Sequence, residues 1–233
     1  MASSESEFAP GLGPAAGAAY LPGFGFFSFP RMEALLPLAF ATVAGMGHAF
    51  EADHLLAVSS IVSRRDTLSQ ALRDGLYWGL GHTTTLVVLG SVILLSRATF
   101  LHSGWFEAIV GLMLIGMGAS RLFDKNTFRR RPAPVRYQPG VAYTVGLVHG
   151  LAGSGALVLL VMSEIRGLLL GVTYLLVFGL GSVLGMLSVA ALLSIPFTRR
   201  MRISFTVRAA AIVLSSVICI GYGGWMVLTN VKF

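Results

Sequence analysis

Gly45-Met46-Gly47-His48-Ala49-Phe50-Glu51-Ala52-Asp53-His54-Leu55-Leu56 is the stretch on which the reading of this 233-residue chain turns. It sets four ionisable side chains, His48, Glu51, Asp53 and His54, into a segment otherwise apolar enough to sit in a lipid bilayer. One charged group at the centre of a spanning helix costs about 2.5 kcal/mol or more, so such groups are functional candidates by default. Two imidazoles with two carboxylates form a donor set for a divalent metal ion.

Working outward, the composition describes a polytopic membrane protein. Only 12% of residues are charged and 55% are hydrophobic, against about 25% charged in a soluble domain. Six stretches, roughly 33–62, 74–96, 105–123, 141–163, 168–195 and 207–229, each supply the ~20 mostly apolar residues that a spanning helix needs. They do not alternate apolar and polar, as barrel strands would. The fold expected is therefore an all-α membrane protein of six transmembrane helices, with residues 31–233 as one transporter domain. Residues 1–30 hold four prolines, no Lys or Arg, and an aromatic run at 20–29. That is not the pattern of a cleavable signal, and they read as a flexible tail, partly interfacial.

The net charge of +7 is a topology signal rather than a nucleic-acid one. The first, third and fifth connections hold Arg64, Arg65, Arg73, Arg121, Lys125, Arg129, Arg130, Arg131, Arg136, Arg199, Arg200, Arg202 and Arg208. Only Arg31, Arg97, Arg166 and Lys232 fall on the other side. The positive-inside tendency places both termini outside the cytoplasm, and the Arg129–Arg131 run against anionic lipid. A multi-pass location in the cell (inner) membrane is expected, with lipid as a partner. Nucleic acid and nucleotide are not expected partners, since no phosphate-binding loop of the G-x-x-x-x-G-K-[ST] type occurs. A single cysteine, Cys219, rules out an intrachain disulfide and dithiol redox chemistry.

The two halves resemble each other. Gly-Met-Gly-His48 is answered by Gly-Leu-Val-His149, Gly79-Leu80-Gly81-His82 by Gly179-Leu180-Gly181-Ser182, and Ile115–Gly118 by Ile220–Gly223. Three spans per half force opposite orientations, so a 3+3 inverted repeat is expected, with a site near mid-membrane between the halves. Gly75-x-x-x-Gly79 and Gly181-x-x-x-Gly185 are small-residue patterns for close helix approach.

On a straight helix, His48, Glu51 and His54 share an arc of about 120°, whereas Asp53 points about 140° from His48. Either the first span is distorted around residues 44–54, or Asp53 has another role. Broken helices are familiar at transporter sites. The metal candidates are His48, Asp53, His54 and His82, with Glu51 and His149 as second-line metal or proton groups. Each histidine alone reads more simply as a buried ring hydrogen-bonded to a backbone carbonyl or hydroxyl. Together they suit Ni²⁺, Co²⁺, Zn²⁺ or Mn²⁺, and metal competes with protons for such ligands. Thr83, Thr84 and Thr85 are expected to bond their own helix, Met46, Met117 and Met186 to pack, and His102 to be solvated. Glu107 and Glu164 are placed near the outer ends of spans.

His48-x₄-Asp53-His54 resembles the H-x₄-D-H signature of the nickel/cobalt transporter (NiCoT) family, and Leu80-Gly81-His82 resembles its second motif. His149-Gly-Leu-Ala-Gly-Ser and Phe178-Gly-Leu-Gly-Ser are similar to the branch of that superfamily with the urease- and hydrogenase-accessory nickel permeases. The resemblance covers roughly residues 36–228. It implies a single-chain secondary carrier of Ni²⁺ or Co²⁺, with the metal as substrate, no cofactor and no enzymatic activity. It further implies that His48, Asp53, His54 and His82 are required for transport. Thr83 stands where the narrower family has Asp, and the fourth and fifth spans lack its later acidic motifs. Uptake is the expected direction, with proton-coupled export as the alternative and a membrane zinc hydrolase as a further one.

Overall fold

The structure is a computed structural model describing residues 32–65, 67–96, 104–124, 139–152, 168–197 and 204–231. Among these the secondary structure is entirely helical. The helices are α1 (Met32–His48), α2 (Ala52–Val62), α3 (Leu68–Ser96), α4 (Trp105–Phe123), α5 (Pro139–His149), α6 (Leu168–Ser194) and α7 (Phe205–Asn230). The N-terminal tail, His102, Glu164, the Arg129–Arg131 run and the fourth span beyond residue 152 lie outside the described residues.

Four segments are long and apolar enough to cross a bilayer: Leu68–Leu95, Trp105–Phe123, Leu168–Phe197 and Phe205–Asn230. The shortest has 19 residues, which at 1.5 Å per residue gives about 28 Å, close to the thickness of a hydrocarbon core. Large apolar side chains face outward, among them Leu36, Val88, Leu95, Leu169, Leu180 and Leu228, as suits a lipid-facing surface. The chain is a membrane protein.

The expected third span coincides with α4, and the fifth and sixth fall on α6 and α7. Pro196 closes α6 through a 3₁₀ turn, Ile195–Phe197, because the residue before a proline is pushed away from helical geometry. The second span starts earlier than expected, at Leu68 rather than near Asp74. Asp74 is buried in the helix because both Arg65 Nε and Nη2 donate to its carboxylate. A paired acid does not end a helix. The expected distortion of the first span is a clean break, with α1 ending at His48 and α2 beginning at Ala52.

Helix α6 is the axis of the bundle. It packs against both α1 and α3, α3 packs against α5 on another side, and α4 pairs with α7. The glycines set these approaches. A Cβ on Gly45 would overlap the carbonyl oxygen of Phe178, and one on Gly146 the carbonyl oxygen of Trp78. Likewise Gly181 lies on the Thr42 carbonyl and Gly81 on the Tyr143 carbonyl. Each pair of contacts recurs about one hundred residues along the chain. Gly75 and Gly79 approach α6 at Met186, Ala190 and Val183.

Two of the three threonines bond across helices rather than only within their own. Thr83 Oγ1 donates to the Gly179 carbonyl (3.1 Å), and Thr85 Oγ1 to the Leu147 carbonyl (2.9 Å). Thr84 stays within α3, donating to Leu80 (2.8 Å). Close backbone approach at Gly179 brings a foreign carbonyl within reach of Thr83, which no local pattern signals.

Gly45→Ala is expected to destabilise the purified protein by about 1–3 kcal/mol, the usual cost of overpacking. Gly47→Ala, whose new methyl would meet nothing within 4 Å, should leave thermal unfolding in detergent unchanged or slightly raised. Equal melting of the two variants would overturn this account of the α1–α6 contact.

Candidate metal centre

The break in the first span positions the site. Phe50 N donates to the Gly47 carbonyl (2.9 Å) and Glu51 N to the His48 carbonyl (3.1 Å), the three-residue spacing of a tightened turn. Glu51 is then extended (φ −64°, ψ 152°), so the helical phase restarts at Ala52. Asp53 falls in the first turn of α2, where a carboxylate complements the helix dipole. Its Oδ1 accepts from the His54 backbone N–H at 2.9 Å.

That restart removes the angular conflict of a straight helix. Asp53 Oδ1 lies 3.0 Å from His54 Nδ1, and its Oδ2 lies 3.0 Å from His149 Nε2 at the end of α5. His48, the last residue of α1, has Nδ1 2.8 Å from Glu51 Oε1. His82 projects from the middle of α3. The His54 ring stands centrally, with centroids 4.5 Å from His48, 5.3 Å from His82 and 4.1 Å from His149. The Trp78 ring lies 5.6 Å from His54 and 5.5 Å from His149, forming an aromatic wall between them. Phe178 of α6 lies 5.6 Å from His48.

Two groups of donors result. The ligand atoms of His48, His54 and His82 lie within 4.8 Å of one another, and so do those of Asp53, His54 and His149. Three donors on one ion at about 2.1 Å would stand about 3.4 Å apart in tetrahedral geometry, so each group closes on an ion by shifts of about 1 Å. Both ring nitrogens of His82, Nε2 of His54 and Nδ1 of His149 are buried without a hydrogen-bond partner among the described residues. Buried polar atoms are nearly always paired. Each neutral ring has one lone-pair nitrogen, so these gathered imidazoles offer Lewis bases suited to a cation.

The structure thus brings together His48, Asp53, His54 and His82, and gives His149 a place as near to Asp53 as His54 has. Glu51 stands apart from both groups, 57% exposed and paired with His48. Sequence reasoning missed Trp78, whose apolar character gave no signal, and Ser182, whose Oγ donates to the Gly45 carbonyl at 3.1 Å. The offset between Gly-Leu-Gly-His82 and Gly-Leu-Gly-Ser182 was the available signal for the second. Met186 is a fully buried core side chain, while Met46 is exposed.

The urease accessory protein UreH of Bacillus sp. (strain TB-90) is 37% identical to this chain over 192 residues, covering 74% of this chain and 84% of the relative. The chain belongs to the UreH family. The chloroplast protein FOR GROWTH AND FERTILITY 1 of Arabidopsis thaliana is 27% identical over 195 residues, covering 73% of this chain. The match takes in 53% of that plant protein, so the chain spans about half its length. No family model and no solved structure matches the chain.

In this UreH-family chain Asp53 ties α2 to α5. Asp53→Ala would leave His149 Nε2 unpaired in a buried place and uncap the His54 N–H. A cost of about 1–3 kcal/mol is expected from the unsatisfied group, read as a lowered melting temperature in detergent. Glu51→Ala, at an exposed position, should stay within about 0.5 kcal/mol. Similar melting of both variants with the wild type would remove Asp53 from this structural role.

Proposed function

We propose that the chain is a secondary carrier moving a divalent transition-metal ion, Ni²⁺ or Co²⁺ in preference, inward across the cell (inner) membrane. The observation that carries this reading is the gathering of three further imidazoles and one carboxylate around His54 inside a bundle of apolar helices. Neutral imidazole with carboxylate suits Ni²⁺, Co²⁺ and Zn²⁺ better than thiolate-seeking ions, and the one cysteine, Cys219, is buried away from the donors. The name of the bacterial relative, a urease accessory protein, is compatible with a part in nickel handling.

The architecture proposed is six spans in a 3+3 inverted repeat, with the first broken after His48 and both termini outside the cytoplasm. Several observations support it. His48 ends α1 and His149 ends α5. The Gly45–Phe178 contact corresponds to Gly146–Trp78, and Gly181–Thr42 to Gly81–Tyr143. Repeats of this kind put the transported ion between the halves, at broken helices. His48, Asp53, His54 and His82 are the proposed ligands, with no cofactor and no enzymatic step. Membrane potential drives the cation inward by about 2.3 kcal/mol per charge per 100 mV, about 4.6 for a dication.

Proteoliposomes holding the wild type are expected to accumulate Ni²⁺ or Co²⁺ under an inward-negative potential. His54→Ala and His82→Ala should reduce initial flux at least about tenfold, consistent with loss of a ligand. Equal flux in all three proteins would sink the site assignment. Absence of flux for Ni²⁺, Co²⁺, Zn²⁺ and Mn²⁺ under several proton gradients would sink the carrier, and efflux alone would reverse its direction.

A further inference from the structure

We propose that the cluster is two overlapping ion stations that share His54, and that the transported ion is handed from one to the other across that ring. This rests on the carrier reading above. One station is His48, His54 and His82; the other is Asp53, His54 and His149.

The geometry favours two stations over one enlarged site. His54 is within 5.3 Å of each of the other three rings, whereas His82 and His149 are 6.4 Å apart between centroids. The two nitrogens of an imidazole point away from opposite edges of the ring and cannot both bind one ion. Nδ1 of His54 faces Asp53 at 3.0 Å, whereas Nε2 is the buried nitrogen with no protein partner among the described residues. Nδ1 therefore serves the Asp53 station and Nε2 the His48 station; because a neutral imidazole carries one lone pair and one N–H, the handover exchanges the tautomer of His54, with the Nδ1 proton released to solvent as the ion arrives there and one proton taken up at the vacated Nε2.

Exposure divides in the same way. Each station has one partly accessible member, His48 at 13% in the first and Asp53 at 15% in the second. The shared His54 is 1% exposed and His149 fully buried. An ion moving between the His48 and Asp53 ends of the cluster must pass the shared His54 ring, which is buried, as are His82 and His149. The donors also change along that route, from three neutral imidazoles to two imidazoles and a carboxylate. The second station brings in His149 from the far half of the chain, so it alone depends on how α2 sits against α5. A neutral imidazole has one nitrogen lone pair, so His54 serves one station at a time and one ion occupies the pair.

Co²⁺ binding to the detergent-purified full-length chain, followed by equilibrium dialysis and visible absorption, tests this together with liposome flux. Wild type should bind one Co²⁺. His48→Ala should still bind one, with a spectrum of mixed oxygen and nitrogen donors. His149→Ala and the conservative His149→Gln should each bind one with an all-imidazole spectrum, and flux should fall at least about tenfold despite retained binding. The paired variants at 149 answer a folding failure in either one. His54→Ala should lose binding at both stations. Wild-type affinity, spectrum and flux in the His149 variants would overturn the handover while leaving a carrier with a single site at His48, His54 and His82. Complete loss of binding in both His48→Ala and the folded His149 variants would show one undivided site and also overturn it. No Co²⁺ binding by the wild type would instead sink the carrier reading itself.

Discussion

The Asp53 carboxylate, accepting from the His54 backbone and paired with the rings of His54 and His149, is the interaction on which the arrangement of this bundle depends. A carboxylate within apolar helices is tolerable only with partners supplied by the protein. A continuous helix through residues 45–56 would turn Asp53 away from its neighbours and leave it facing lipid or apolar side chains. Breaking the helix at Ala49–Glu51 costs backbone hydrogen bonds, but two are recovered as the Gly47 and His48 carbonyls accept from Phe50 and Glu51. The restart at Ala52 then rotates Asp53 toward α5. The break and the buried acid are one solution to one problem.

The rest of the packing follows from bringing two histidine-ended helices to the same place. α1 and α5 stop at His48 and His149, and each lies against a long helix through a glycine set on a carbonyl oxygen. Gly45 meets α6 at Phe178; Gly146 meets α3 at Trp78. Those two aromatic residues also flank the imidazoles, Phe178 beside His48 and Trp78 beside His54 and His149. The residues that fix helix separation therefore also wall the donor cluster, and a change of spacing at either glycine would be felt at the rings.

What the sequence made legible was what is written along one helix. Runs of apolar residues located α4, α6 and α7 to within a few residues, and the angular conflict of Asp53 with His48 called for the break. Asp74 and Thr83 show the limit. An acid near the start of a span read as its boundary, because its partner Arg65 lies in the preceding turn and nothing in residues 74–96 records that pairing. Thr83 looked like a hydroxyl bonding within its helix until Gly179 brought a carbonyl from α6 beside it. His149 was named for its resemblance to His48, yet its nearness to Asp53 follows from helix packing, a relation between residues 96 positions apart. Partnerships across a bundle leave no periodicity in the chain.

The same packing decides the charge of the site. Where the narrower transporter family carries an acid after its second-motif histidine, this chain has Thr83, and the hydroxyl is spent on holding α3 to α6 rather than facing the ligands. Glu51 is turned outward beside His48. Asp53 is thus the one carboxylate within the donor groups, and a dication bound there by neutral imidazoles would keep a net charge of +1. Retained charge in a low-dielectric interior weakens binding. In a storage or structural site that would be a defect. In a carrier it is an asset, since passage requires binding strong enough to enter and weak enough to leave.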